Sequence, residues 1–194
     1  ETGKEISVVV LEKGSEVGAH ILSGAVMDPR AMNELFPNWK EEGCPFETPV
    51  QHDVFKVLGP EGSISLPNFL LPPALHNHGM YIGSLGSVTR WLATKAEALG
   101  VDIYPGFACS DLTYREDGSI KGVIAGVVGI GKDGEPATDY SPGMELNGKY
   151  VLIAEGVRGS LAKRLIREFK LEGKQPQKFG IGIKELWQVP AENF

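Results

Sequence analysis

The run YVLIA, Tyr150–Ala154, is apolar at every position and leads straight into Glu155-Gly156, then into SLAKRLIREF from Ser160. A strand apolar on both faces must be covered on both faces, which places it in a parallel sheet flanked by helices. The segment after it has helical spacing, with Leu161, Leu165, Ile166 and Phe169 on one stripe. In an open α/β sheet, ligands sit outside the carboxyl ends of the strands. A carboxylate at that end, Glu155, can accept a polyol hydroxyl, and Gly156 removes the side chain that would keep a ligand from the backbone. Ser160 can cap the helix and leave its first N–H groups to an anion. An ordinary strand-to-helix turn uses the same residue types, so both readings stand here.

A second run, Ile6–Leu11, apolar but for Ser7 and largely β-branched, ends at Glu12-Lys13 and continues into the glycine-rich KGSEVGAHILSGAVMDPRA. A carboxylate that ends the second strand of a dinucleotide-binding unit accepts both ribose hydroxyls, about 20 residues beyond the phosphate-binding glycine loop. That loop would precede residue 1. The other reading of Glu12 is a solvated strand end. Both termini, ETGKEISVVV and KELWQVPAENF, read as interior to a longer chain.

Between the two runs, Pro29 after Asp28 predicts a short helix with Pro29 at its first position. FKVLGPEGSISL predicts a hairpin around Gly59-Pro60-Glu61-Gly62. Phe69, Leu70 and Leu71 are consecutive and flanked by prolines, so they form either a loop packed under something or an exposed apolar tip. Val88, Trp91, Leu92, Ala96 and Leu99 predict a helix capped by Ser87 and ended by Gly100. A strand at VDIYPG follows, then three antiparallel runs at Ser110–Tyr114, Ile120–Ile130 and Met144 onward. Gly129, Gly131 and Gly134 spell a literal G-x-G-x-x-G, but EPATDYSPG after them cannot open a helix, so this is a hairpin turn. His76 and His78 lack a third ligand nearby and read as surface residues, not a metal pair. No catalytic acid, base or nucleophile constellation can be assembled.

The 194 residues carry a net charge of −6, which disfavours a nucleic-acid partner, since phosphate binding needs a basic stripe. The two cysteines, Cys44 and Cys109, are far apart and cannot by themselves hold a zinc or an iron–sulfur cluster. They are expected to be reduced thiols. No run approaches the ~20 apolar residues of a spanning helix.

Three segments, LEKGSEVGAHILSGAVMDPRA, NHGMYIGSLGSVTRWLATKAEALGVDIYPGFA and AEGVRGSLAKRLI with FGIGIKELW, together resemble the electron-transfer flavoprotein–ubiquinone oxidoreductase family. The resemblance covers nearly the whole chain. It implies an α/β fold: a truncated FAD-binding domain of the glutathione-reductase/aromatic-hydroxylase kind, with a three-stranded β-meander and an inserted apolar hairpin. It divides the chain into a first FAD-binding part (1–47), a membrane-facing insertion (48–80), a second FAD-binding part (81–170) and the start of a quinone-binding domain (171–194). Glu12 and Lys13 match the adenosine-ribose position, and Ser23 and Gly24 the approach to the flavin. Arg90 matches a position near the phosphates and Ala108 one near the adenine. Glu155 and Gly156 match the ribityl and pyrophosphate region, and Phe55, Phe69, Leu70 and Leu71 a projection facing membrane and quinone.

The same resemblance implies FAD in the parent protein and a [4Fe–4S] cluster whose ligands lie outside this chain. It implies electron-transfer flavoprotein and ubiquinone as partners, and peripheral attachment to a bacterial cytoplasmic or mitochondrial inner membrane. The activity implied is oxidation of reduced electron-transfer flavoprotein with reduction of ubiquinone. The isolated chain, without the glycine loop and the cluster, is expected to be inactive and to hold FAD weakly or not at all. Geranylgeranyl reductases and monooxygenases share the strand–acid–glycine–helix pattern but carry no cluster, usually with Asp where this chain has Glu155. A non-catalytic membrane-binding module is a further alternative.

Overall fold

The computed structural model describes residues 6–22, 24–183, 185, 188 and 190. The chain is mixed α/β, and its described strands form several small sheets and no barrel. It divides into two compact units, one spanning 1–19 and 97–194 and the other 20–96.

In the first unit, the β-branched run predicted at the start forms strand β1 (Val8–Glu12), parallel to β7 (Val101–Pro105) in a register from Val8↔Val101 to Glu12↔Pro105. Full burial was expected of this strand, and it is not met. Val8, Val9 and Val10 are 42–43% exposed, because among the described residues the sheet has only these two strands. A meander follows, with β9 (Ile120–Ala125) at its centre between β8 (Cys109–Tyr114) and β12 (Met144–Asn147). The predicted strand at Ile120–Ile130 is in fact broken. Gly126 turns the backbone to φ +73° over the Phe107 ring, and β10 (Val128–Ile130) then pairs with β11 (Pro136–Ser141) as a separate hairpin. The literal G-x-G-x-x-G lies in this hairpin, as expected, with the Gly131 N–H bonded across its turn to the Glu135 carbonyl.

Helix α3 (Ser160–Glu168) buries Leu161 and Leu165 with Leu112 and Val123 of the meander. Leu11, Val151 and Ile153 pack on the same cluster. Tyr150–Ala154 shows the alternation of a strand, since Val151 and Ile153 face the core while Tyr150 and Leu152 are each 91% exposed. It makes no ladder among the described residues, so the predicted buried strand has no partner here. Arg164 ties α3 to the meander through an ion pair with Asp111, and the Tyr114 hydroxyl donates to Glu168 Oε2 at 2.8 Å.

The second unit has an aromatic core. Trp39 meets Phe46 and Tyr81 edge-on at 5.5 and 5.3 Å, and Met32, Cys44 and Val88 are buried with them. Helix α1 (Arg30–Leu35) begins one residue later than predicted, with Pro29 outside it and Asp28 Oδ1 accepting the Arg30 N–H at 3.0 Å. Helix α2 (Leu85–Ala98) begins before Ser87. Ser84 Oγ accepts the Ser87 N–H, so Ser84 is the cap and Ser87 lies inside the first turn. The central strand β6 (Tyr81–Gly83) pairs with β2 (Ala25–Met27) and β3 (Thr48–Pro49). The predicted hairpin is present as β4 (Phe55–Gly59) and β5 (Gly62–Leu66).

Candidate functional site: the carboxyl ends of the first unit

Strands β1 and β7 end side by side, and the chain leaving each is bonded to the other. The Phe107 N–H donates to the Glu12 carbonyl at 3.0 Å, and the Gly106 N–H to the Gly14 carbonyl at 2.7 Å. Glu12 folds its side chain back, so that Oε1 accepts the Gly14 N–H at 2.6 Å. Its second oxygen has no hydrogen-bond partner among the described residues. Gly14 is buried, and a Cβ there would lie 3.1 Å from both Glu12 Oε1 and the Glu16 carbonyl. The glycine therefore sets the orientation of the carboxylate. Lys13 beside it is exposed.

Ala108 continues from this junction, its carbonyl accepting the Gly126 N–H at 3.0 Å. The next residue, Cys109, lies close enough to Glu155 to sense its charge. Burial, and then the Glu155 carboxylate, push the Cys109 thiol above its ordinary value. Glu155 Oε2 accepts the Ala162 N–H at 2.9 Å. This corrects the sequence reading of the helix start. Gly159, not Ser160, is the N-cap and offers no side chain, so Glu155 caps α3 from seven residues back. A Cβ on Gly159 would overlap Glu155 Cβ and Oε2, so only glycine admits this geometry. Gly156 has φ +78° and nothing within 4 Å of where a Cβ would stand.

These residues fit a hydroxyl-rich ligand. Glu12 presents one carboxylate oxygen without a partner among the described residues, Glu155 keeps its second oxygen outside the cap, and Gly156 leaves open backbone beside it. Glu12, Lys13, Ala108, Glu155 and Gly156 share the first unit. Gly24, at φ +90°, and Arg90, whose Nη2 donates to Ser87 Oγ at 3.2 Å, belong to the other. Ser23 lies outside the described residues. Phe55, Phe69 and Leu70 are exposed, Phe69 at 81%, whereas Leu71 is half-buried. His76 Nε2 lies 2.8 Å from the Asn68 carbonyl oxygen.

Over 192 residues the chain is 55% identical to the "Probable electron transfer flavoprotein-ubiquinone oxidoreductase" of Acinetobacter baylyi, covering 97% of this chain and 34% of that protein. It is 52% identical to the electron transfer flavoprotein-ubiquinone oxidoreductase of Pseudomonas aeruginosa, over 97% of this chain and 35% of that one. For the mitochondrial protein of Bos taurus the identity is 48%, over 98% and 31%. Along nearly its whole length, the chain matches a segment of the electron transfer flavoprotein-ubiquinone oxidoreductases. It spans about a third of the length of these relatives. No protein-family model matches it. Among solved structures, the fold resembles Thermovibrio ammonificans THI4 with a TM-score of 0.50 and 15% identity, over 86% of this chain and 54% of that one.

The family resemblance singled out Glu12, Glu155 and Gly156, but two glycines that shape the site were missed. Gly14 and Gly159 each leave room for a carboxylate two to four residues earlier in the chain. The signal was present in the E-x-G of Glu12-Lys13-Gly14 and the E-G-x-x-G of Glu155–Gly159. Its meaning depended on which way each carboxylate folds.

Proposed function

We propose that the parent of this chain is a respiratory flavoprotein that accepts electrons from reduced electron-transfer flavoprotein and reduces ubiquinone. The observation that carries the reading is identity near 50% along the whole chain to proteins of that name, from bacteria and from mitochondria. The first unit would belong to a FAD-binding domain of the glutathione-reductase/aromatic-hydroxylase kind. There Glu12 and Lys13 would hold the adenosine ribose, Ala108 would stand by the adenine, and Glu155 and Gly156 by the ribityl chain and pyrophosphate. Ser23 and Gly24 would approach the flavin and Arg90 the phosphates. FAD, when bound, supplies the electron-carrying chemistry, while the chain binds and orients it. No side chain here is assigned an acid–base role. A [4Fe–4S] cluster would be held by ligands outside this chain.

Along the sequence, 1–47 and 81–170 would serve FAD binding, 48–80 would be the membrane-facing insertion, and 171–194 would open the quinone-binding domain. Phe55, Phe69, Leu70 and Leu71 would face membrane and quinone. Exposed apolar groups on β4–β5 and the turn after it support this, since contiguous apolar surface of this sort marks a membrane or protein contact. No helix among the described residues is long and apolar enough to cross a membrane, and attachment would be peripheral, to a bacterial cytoplasmic or a mitochondrial inner membrane. The test is an absorption spectrum of the full-length parent, oxidised and reduced, with an iron assay. Flavin bands with about four iron per flavin are expected for one [4Fe–4S] centre. Flavin without iron would transfer the assignment to the cluster-free reductases and monooxygenases.

A further inference from the structure

Within the apolar insertion, four polar side chains form a network with no role so far. Asp53 precedes β4, Asn68 lies in the 3-10 turn Asn68–Leu70 after β5, and His76 and Asn77 lead out towards β6. All four are half-buried. Asp53 Oδ2 accepts the Asn77 backbone N–H at 2.9 Å, and Oδ1 accepts Asn77 Nδ2 at 3.0 Å. Asn68 Nδ2 donates to the Asp53 carbonyl at 2.9 Å, and its own carbonyl receives His76 Nε2 at 2.8 Å. Three segments, before the hairpin, after it and ahead of β6, are therefore joined at one place. The segments they bracket are the hairpin and the Phe69–Leu71 turn, whose apolar side chains have little core to hold them: Phe69 is 81% and Leu70 65% exposed. Within the turn itself the backbone bonds are local, Leu70 N–H to Pro67 and Leu71 N–H to Asn68.

We propose that Asp53, with Asn68, His76 and Asn77, is a positioning clasp that holds the Phe69–Leu71 turn against the base of the hairpin and so presents the apolar surface preformed to a lipid bilayer. An exposed apolar turn without such a clasp would be ordered only on binding, and ordering then lowers affinity. The carboxylate matters because its two oxygens take both donors of one residue, a charge-assisted pair stronger than neutral bonds. His76 beside it lowers the Asp53 carboxyl further, after the two Asn77 bonds, so the clasp carries its charge across the neutral range. The inference rests on the membrane-facing reading of the insertion, and its test separates the two.

The 194-residue chain is compared with Asp53→Asn and Asn77→Ala by amide hydrogen exchange and by sedimentation with phosphatidylcholine vesicles. Both substitutions should speed exchange at Leu70, Leu71 and Asn77 by about tenfold, the factor carried by one lost charge-assisted hydrogen bond. Exchange at Leu92 in α2 should not change, and the vesicle-bound fraction should fall severalfold. Unchanged exchange at Leu70 and Leu71 overturns the clasp. Faster exchange with undiminished vesicle binding overturns its role in presenting the surface. If the unsubstituted chain binds no vesicles, the lipid reading itself is overturned, whatever the exchange shows.

Discussion

Glu155 spends one carboxylate oxygen on the cap of α3, through the Ala162 N–H, and the proposed role in ligand binding falls to the other. Removing the cap should therefore cost stability before any ligand is added. Glu155→Ala is expected to lower unfolding free energy by about 1 kcal/mol, typical of a lost helix cap. The check is a lower urea midpoint with an unchanged m-value. Gly159→Ala should act in the same direction, because its new Cβ displaces the same carboxylate. The double variant should lose less than the sum of the two, since one cap can be lost only once. Cys109 reports on the same carboxylate. Burial first, and Glu155 second, raise its thiol, so its alkylation by iodoacetamide at pH 8 should be slower than that of a free thiol and faster in Glu155→Gln. The sign for stability follows from linkage. A thiol raised in the folded state contributes stability that is present below its ordinary value, near pH 9, and is lost as pH climbs above it.

At the scale of elements, β1, β7, the β4–β5 hairpin and α2 were legible because each rests on a local pattern: an apolar β-branched run, a Gly-Pro-Glu-Gly turn, a 3.6-residue stripe. Their ends were not. Ser84 caps α2 where Ser87 was expected, and Glu155 reaches α3 from outside its first turn. A cap is chosen by how the preceding loop folds, and periodicity says nothing of that. Gly126 likewise looked like one more residue of a strand, and only the Phe107 ring against it explains the break. Of the candidate site, the carboxylates Glu12 and Glu155 after apolar runs could be read in advance, whereas the glycines beside them could not. The hairpin gives the test proper to this scale. Phe69 and Leu70 are exposed while Leu71 is half-buried, so Phe69→Asp and Leu70→Asp should cut binding to phosphatidylcholine vesicles by about tenfold or more, from the transfer energy of one large apolar side chain. Neither should move the thermal midpoint appreciably. Leu71→Asp should lower it, because that side chain already has protein cover.

For the whole molecule, the question is how much of a cofactor this chain can hold alone. The first unit offers carboxylate oxygens at the end of β1 and after the extended Tyr150–Ala154 segment, suited to hydroxyls. A dinucleotide also carries a pyrophosphate, which needs free N–H groups or cations close by. At α3 the Ala162 N–H is already taken by Glu155. Among the described residues, Tyr150 and Leu152, each 91% exposed, and the valines of β1, 42–43% exposed, lack the apolar cover that would fix the segments leading to the two carboxylates. Ordering those segments around a ligand would consume much of the binding energy. The 194-residue chain should therefore bind FAD with a dissociation constant above about 10 μM, less than ~7 kcal/mol of affinity, measured by quenching of flavin fluorescence. Full-length relatives, roughly three times as long, should retain flavin through purification. A stoichiometric yellow complex of the chain alone would show that the end of β1 and the Glu155 cap suffice. In that case Glu12→Ala and Glu155→Ala should each release the flavin, whereas Phe69→Asp in the other unit should leave it bound.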